Sequence, residues 1–359
     1  MVCGTLPRLL SLKAPVYPTD LPPEPALMPP HPEYDVAVIG AGPSGSRTAE
    51  LLASRGFRTA LFERDRAAGQ PVHCTGIVST ECFERYGLPS SLVIRKVSGF
   101  LLRSPSGRGV RLQRDDTQAY ILDRVELDRL LADRAADAGA QLVLHTTVDD
   151  LQWTGGAVSM RATTNGFSRT VTARAAVVAT GYGAPLARKL GLGTVQEVVS
   201  GCQAVVEAHD LDEVEVFTGG AFGHGGYGWL VPWRPGYALA GLLTRKHTMR
   251  RLDEYMQRLQ ADGRVGAVQE TFRCRAIPLG VPKRTVANGV IGVGDVVSQV
   301  KPTSGGGIYY SLLGADTAAE VLAQALDAGD VTAEGLMPYD RHWRKLMEPE
   351  IRQGYALRR

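Results

Sequence analysis

Residues 34–63 confine the chain to a narrow set of folds. They read as an apolar strand (Val36, Val38, Ile39), a glycine turn, a helix and a second strand ending on an acid. Gly40, Gly42 and Gly45 stand in Gly-x-Gly-x-x-Gly order at the carboxyl end of the first strand. In such a turn the first glycine permits the tight bend and the second lets a pyrophosphate approach the backbone. The third lets the helix pack close to the strand. Pro43 and Ser44 open a helix expected over about residues 43–54, whose unpaired amides aim at phosphate. Leu61 and Phe62 lead into Glu63, a carboxylate placed to accept the ribose hydroxyls of an adenosine. The pattern predicts a parallel sheet holding a dinucleotide.

The remaining composition narrows the function. With 359 residues, 44% hydrophobic and 21% charged, the chain has ample core for one large domain or two intertwined ones. A net charge of +3 with scattered arginines argues against a dedicated nucleic-acid binder. Five cysteines (Cys3, Cys74, Cys82, Cys202, Cys274) contain no Cys-x-x-Cys pair. Reduced thiols in a cytoplasmic setting are therefore expected, with neither a metal site nor a disulfide framework. No apolar run is long enough to span a bilayer, which leaves peripheral contact with a membrane surface open. Residues 1–33 are rich in proline and are expected to form an extended tail, or to precede a start at Met28.

Along the chain, Asp123 opens a helix with Val125, Leu127, Leu130 and Leu131 at helical spacing, ended by Gly139. A strand follows at 141–145. Two more, 157–163 and 169–173, flank Asn165-Gly166, a hairpin signal, before a further strand at 175–179. Residues 203–207, 214–217, 229–232 and 237–243 read as strands interrupted by a helix at 249–260. An apolar strand at 290–293 then leads to a glycine-led helix over about 306–325.

Three later signals go beyond a nicotinamide-binding domain. They are Asp123-Arg124 at a helix start, Thr180-Gly181 after a strand, and Gly294-Asp295 followed by Pro302 and Gly305-Gly306-Gly307-Ile308. In this order they resemble flavoproteins of the para-hydroxybenzoate hydroxylase type. The resemblance spans about residues 34–325 and implies an α/β fold: a discontinuous Rossmann-like FAD-binding domain with an inserted, mostly antiparallel β-sheet substrate domain. It divides the chain into a tail (1–33), a cofactor domain (34–95, 120–195, 285–330), a substrate domain (96–119, 196–284) and a C-terminal helical segment (331–359). It also implies that Asp295 holds the ribityl chain of FAD, and the N-terminus of the 306–325 helix is suited to face the negative charge of the reduced flavin.

Three segments point to a subfamily. Pro71-Val72-His73-Cys74-Thr75-Gly76-Ile77-Val78-Ser79 resembles the cysteine loop of geranylgeranyl reductases. Tyr227-Gly228-Trp229-Leu230-Val231-Pro232 is similar to their Tyr-x-Trp-x-Phe-Pro segment, and residues 294–309 closely follow their flavin loop. Val231 replaces the aromatic of that pattern, His224 stands where a proline often does, and the C-terminal end is shorter than in many relatives. The resemblance implies saturation of C=C bonds in a prenyl lipid, prenyl diphosphate or prenylquinone. The electrons would come from NAD(P)H or ferredoxin, the latter bringing a reductase or ferredoxin partner.

The same resemblance assigns Cys74 a catalytic role, whereas a free cysteine by itself more commonly reads as a small buried residue. It assigns Tyr227, Trp229, Pro232 and Gly306 to substrate; two aromatics on one strand face otherwise read as sheet core. Arg124 seats the flavin or diphosphate, or is a solvated arginine at a helix start. Lys301 and Arg245 are cations suited to an anionic head group, or else solvated. His73 and His224 have the chemistry of proton donors without a supporting context. An FAD-dependent halogenase or monooxygenase is the enzymatic alternative, distinguished by oxygen consumption. A non-enzymatic prenyl-binding protein, like the Rab GDP-dissociation inhibitors, sits poorly with an intact Glu63, Asp295 and glycine loop.

Overall fold

A computed structural model describes residues 32–71, 74–269 and 272–358. Most of the expected tail, with Met28, lies outside the described residues, as do Val72 and His73. The described fold begins by residue 33, where the Glu33 amide donates to Thr172 Oγ1 at 3.1 Å.

Val36 and Val38 alternate with Ala37 and Ile39, and both sets are buried. A strand covered on both faces is what a parallel sheet between two layers demands. The strand Tyr34–Ile39 lies inside an eight-stranded sheet whose main order is Val286–Ala287, Val290–Gly292, Phe167–Val178, Tyr34–Ile39, Thr59–Phe62, Gln141–Val143. All but the first pair of that path are parallel.

The strands expected separately at 169–173 and 175–179 are one, Phe167–Val178, because nothing between Ala173 and Ala175 breaks it. Its first half pairs antiparallel with Ala157–Thr164 across the Asn165-Gly166 turn. Its second half joins the parallel sheet. One face of the sheet packs on the helices Pro43–Ala53, Ile308–Ala328 and Ala333–Leu357, through Leu52, Leu322, Tyr339 and Trp343. The glycine-led helix thus starts two residues later than expected, with Gly307 as its cap.

A seven-stranded sheet follows the order Arg273–Leu279, Glu197–Glu207, Tyr237–Thr244, Tyr227–Pro232, Val214–Phe217, Gly99–Arg103, Gly109–Gln113. It is antiparallel except where Val214–Phe217 runs parallel to Gly99–Arg103. Side chains alternate across it. Leu230 and Leu242 pack on the helix Thr248–Ala261, and Trp229 and Val231 face the other way. In this sheet Cys202 and Cys274 stand opposite one another, Cα atoms 4.1 Å apart, and form a disulfide. That corrects the expectation of reduced thiols throughout. The two residues are 72 positions apart, and only the strand register brings them together. A third, antiparallel sheet of Ile77–Ser79, Ala119–Leu122 and Val93–Val97 carries the cysteine loop.

Candidate flavin and substrate site

The parallel strands end level with one another. Ile39 stands opposite both Phe62 and Val178, and Val178 opposite Gly292. The turns at 40–44, 63, 179–181 and 294–295 therefore emerge along one edge, the carboxyl edge where open α/β sheets bind ligands. They open into a cavity of about 1350 Å³ that continues under the seven-stranded sheet. That exceeds the span of roughly 300–1,000 Å³ usual for one small ligand. There is room for a cofactor and a second molecule.

Within the glycine turn the three glycines do different work. Gly40 adopts φ +105°, and a Cβ there would lie 2.6 Å from the Ala179 carbonyl oxygen. A Cβ on Gly45 would lie 1.8 Å from the Gly40 carbonyl oxygen, so the helix starts in backbone contact with the turn. Gly42 is the opposite case: a Cβ would meet nothing within 4 Å. The open space lies on the cavity wall, where a phosphate could reach the first-turn amides. Glu63 Oε2 accepts from the Ala41 amide at 2.7 Å and Oε1 from the Asp65 amide at 3.0 Å, which fixes the carboxylate at the strand end.

Asp295 lines the same cavity, its Oδ1 so close to Gly307 that a Cβ there would lie 2.7 Å away. Burial pushes its carboxyl above the ordinary value, opposed by Arg275 and Arg124. Arg124 is held by both oxygens of Asp128 at 2.6 and 2.7 Å. Burial works against its charge, and the negative groups around it, Asp128 foremost, more than restore it. An open phosphate cradle, two carboxylates at strand ends and a 21-residue helix with its N-terminus at the cavity suit FAD.

Cys74 is an exposed free thiol on the cavity wall, its sulfur 3.5 Å from the Gly76 amide. Thr75 Oγ1 donates to Gln203 Oε1 at 2.7 Å and ties this loop to the seven-stranded sheet. Tyr227 and Trp229 have ring centroids 5.8 Å apart, and both line the cavity. Burial pushes the Tyr227 hydroxyl up to about 12, and that hydroxyl donates to the Ser304 carbonyl at 2.6 Å. Phe100, Val214, Val216 and Val231 continue an apolar wall beside Trp229.

Of the remaining sequence-derived residues, Pro43, Ser44, Thr180, Gly181, Gly305, Gly306, Gly307 and Ile308 line the cavity. Gly45, Gly294, Pro302 and Pro232 stand behind it. Gly45 packs on the Gly40 backbone and Gly294 on the Ser44 and Ser311 side chains, and Pro232 is buried at a strand end opposite Ala238. Lys301 and Arg245 are engaged by Glu350 and Glu197. Thr146, Thr147, Tyr182, Arg275 and Arg358 also reach the cavity. Tyr182 follows the Thr180-Gly181 signal, and the others are delivered by tertiary structure with no motif around them.

The fold and site define an FAD flavoprotein, and the family model described as an FAD binding domain matches residues 33–348. The chain is 31% identical over 325 residues to the digeranylgeranylglycerophospholipid reductase of Methanocaldococcus jannaschii, covering 87% of this chain and 82% of that one. It is 32% identical over 339 residues to digeranylgeranylglycerophospholipid reductase 2 of Methanothermobacter thermautotrophicus, covering 91% and 87%. Among solved structures, a geranylgeranyl bacteriochlorophyll reductase-like protein of Thermoplasma acidophilum superposes with a TM-score of 0.84 at 23% identity, covering 90% and 86%. A flavin-dependent brominase reaches 0.73 at 17% identity, covering 90% and 87%, and shares the fold. The chain belongs to the geranylgeranyl reductase family of FAD-dependent oxidoreductases.

Proposed function

We propose that this chain uses FAD to reduce isolated C=C bonds in the prenyl chains of an isoprenoid lipid. The observation that carries the reading is the continuity of one cavity from the glycine turn and Asp295 to the apolar wall of Phe100, Val214, Val216, Trp229 and Val231. The names of the curated relatives support a prenylated glycerophospholipid as the substrate class. In this reading residues 34–95, 120–195 and 285–330 hold the cofactor, and residues 96–119 and 196–284 hold the lipid.

Reduced FAD, when bound, supplies the hydride equivalent. The Gly42 turn and Glu63 would hold its adenosine diphosphate half, Asp295 its ribityl hydroxyls, and the amides beginning at Gly307 would offset the flavin's negative charge. Tyr227, Trp229 and the valines align the prenyl chain and exclude water. A chain of about 20 carbons gains on the order of 16 kcal/mol at roughly 0.8 per buried carbon, an upper bound. The Cys74 thiol stands on the cavity wall to give the second alkene carbon its proton. Among the described residues no helix is long and apolar enough to cross a membrane, and in this reading the chain meets the bilayer that carries its lipid only peripherally.

The test is anaerobic incubation of the FAD-loaded, dithionite-reduced protein with prenyl lipids and mass analysis for gains of two hydrogens per double bond. NAD(P)H and reduced ferredoxin then replace dithionite to identify the donor. Hydroxylated or halogenated product in air, with no hydrogen gained, refutes the assignment.

A further inference from the structure

Arg358, on the cavity wall, makes no ion pair with a carboxylate among the described residues. Arg358 follows the helix Ala333–Leu357 and turns back into the cavity wall. It is only 8% exposed. Its Nη1 donates to the Pro302 carbonyl at 3.0 Å, while Nε and Nη2 are buried with no hydrogen-bond partner. Three N–H bonds of a guanidinium are thus withdrawn from water and left unused.

The neighbouring carboxylate is committed elsewhere. Arg245 holds Glu197 through Nε and, at 3.2 Å, through Nη2, and the Tyr355 hydroxyl donates to it at 3.1 Å. Two arginines share one acid there, which leaves one positive charge over. Burial pulls the Arg358 guanidinium below its ordinary value. An uncompensated buried charge costs several kcal/mol, so it is retained where a ligand brings the counter-charge. The pyrophosphate of the dinucleotide does not bring it. The contacts of Arg358 are with Pro302 and with Gly225, where a Cβ would lie 3.1 Å from Arg358 Cγ, and not with the turn at 40–45. Tyr227 lines the same cavity, interacts electrostatically with this cation, and has its ring 5.8 Å from that of Trp229.

We propose that Arg358 anchors the phosphate of the substrate's polar head group, through the paired N–H donors at Nε and Nη2, and thereby sets how far the prenyl chain threads along the apolar wall. This rests on the prenyl-reductase reading and sharpens it: the substrate is an anionic prenyl lipid. Guanidinium and phosphate oxygens match as a two-point fork. The same chemistry is offered by a prenyl diphosphate and by a prenylated glycerophospholipid.

The test is equilibrium dialysis with the oxidised, FAD-loaded protein as wild type, Arg358→Gln and Arg358→Lys. The ligands form two pairs: geranylgeranyl diphosphate against geranylgeraniol, and digeranylgeranylglycerol phospholipid against its phosphate-free diether. Wild type is expected to prefer the phosphate-bearing member of at least one pair by about tenfold to a hundredfold. The pair that shows the preference identifies the source of the phosphate. Arg358→Gln loses the preference at unchanged flavin content, and Arg358→Lys keeps part of it. Equal preference in wild type and Arg358→Gln, or no preference in wild type for either pair, overturns the inference. So does an Arg358→Gln that releases FAD while still preferring phosphate, which would assign the arginine to the cofactor. The readout is binding alone. A protein that holds phosphate through Arg358 yet adds hydrogen to no prenyl chain upholds the anchor and removes the reductase reading.

Discussion

Two alanine substitutions three residues apart should have opposite consequences. A Cβ on Gly45 would stand 1.8 Å from the Gly40 carbonyl oxygen and 3.1 Å from Ala179 Cβ. Real Cβ contacts essentially never fall below 3.0 Å, so the helix start must retreat by about 1.2 Å (3.0 − 1.8). The Gly40 backbone stands on one side and the rigid Ala179 methyl on the other, so no flexible side-chain end can swing away. The cost is about 1–3 kcal/mol from overpacking alone, before any gap opens around Ala49 and Leu52.

At Gly42 the added methyl meets nothing within 4 Å, and φ −74°, ψ −179° suits any residue. A few tenths of a kcal/mol lost at the helix cap are offset by a less flexible unfolded chain, so stability stays within about 0.5 kcal/mol of wild type. The methyl instead enters the space proposed for the pyrophosphate. Loss of one hydrogen bond to a charged oxygen, about 1.5–3 kcal/mol, weakens FAD about tenfold to a hundredfold. Urea unfolding of the apo-protein measures the first quantity, and titration by quenching of flavin fluorescence the second. Gly42→Ala binding FAD at wild-type affinity, or Gly45→Ala unfolding at the wild-type midpoint, refutes the division of labour.

Three further outcomes follow from the same geometry. Val216→Trp fills the cavity wall opposite Trp229; flavin content should hold while turnover of a full-length prenyl lipid collapses, and unchanged turnover would remove this wall from the substrate path. Cys74→Ser should lower the reduction rate by roughly a hundredfold or more with FAD content intact, and an undiminished rate would show that the proton comes from elsewhere. Asp295→Asn should weaken FAD yet stabilise the apo-protein at neutral pH, because burial disfavours the ionised carboxylate. That gain is full above the raised folded-state value, fades as pH falls toward 3.8, the ordinary carboxyl value, and is gone well below it, where the aspartate is protonated in both states. Urea midpoints across that range, flat with pH, would contradict it.

The parts of the site that were legible in the sequence are those whose neighbours in space are also neighbours in the chain. Gly40, Gly42 and Glu63 belong to one strand–turn–helix–strand unit, and Asp295 announces itself by the glycine before it and the glycine loop after it. Pro232, grouped by the motif with Tyr227 and Trp229, does not line the cavity, because a motif does not say which end of the strand meets it. The Cys202–Cys274 pairing and the reach of Arg358 depend on register and on the path of the last helix, which no local pattern encodes. Arg245 and Lys301 show the converse. Both looked like free cations, and both are neutralised by acids far away in sequence.

The last helix also grips the flavin loop from behind. Tyr339, fully buried, donates to the Gly292 carbonyl at 2.7 Å and accepts from Gln299 Nε2 at 2.9 Å. Gln299 Oε1 in turn accepts from the Gly294 amide at 2.7 Å, in a notch left by Gly314. The rear buttress and the ligand on the front therefore share one hinge of backbone. Coenzyme uptake should slow hydrogen exchange in a helix segment around Tyr339 that never meets it, and anything that loosens that segment should let the coenzyme leak away.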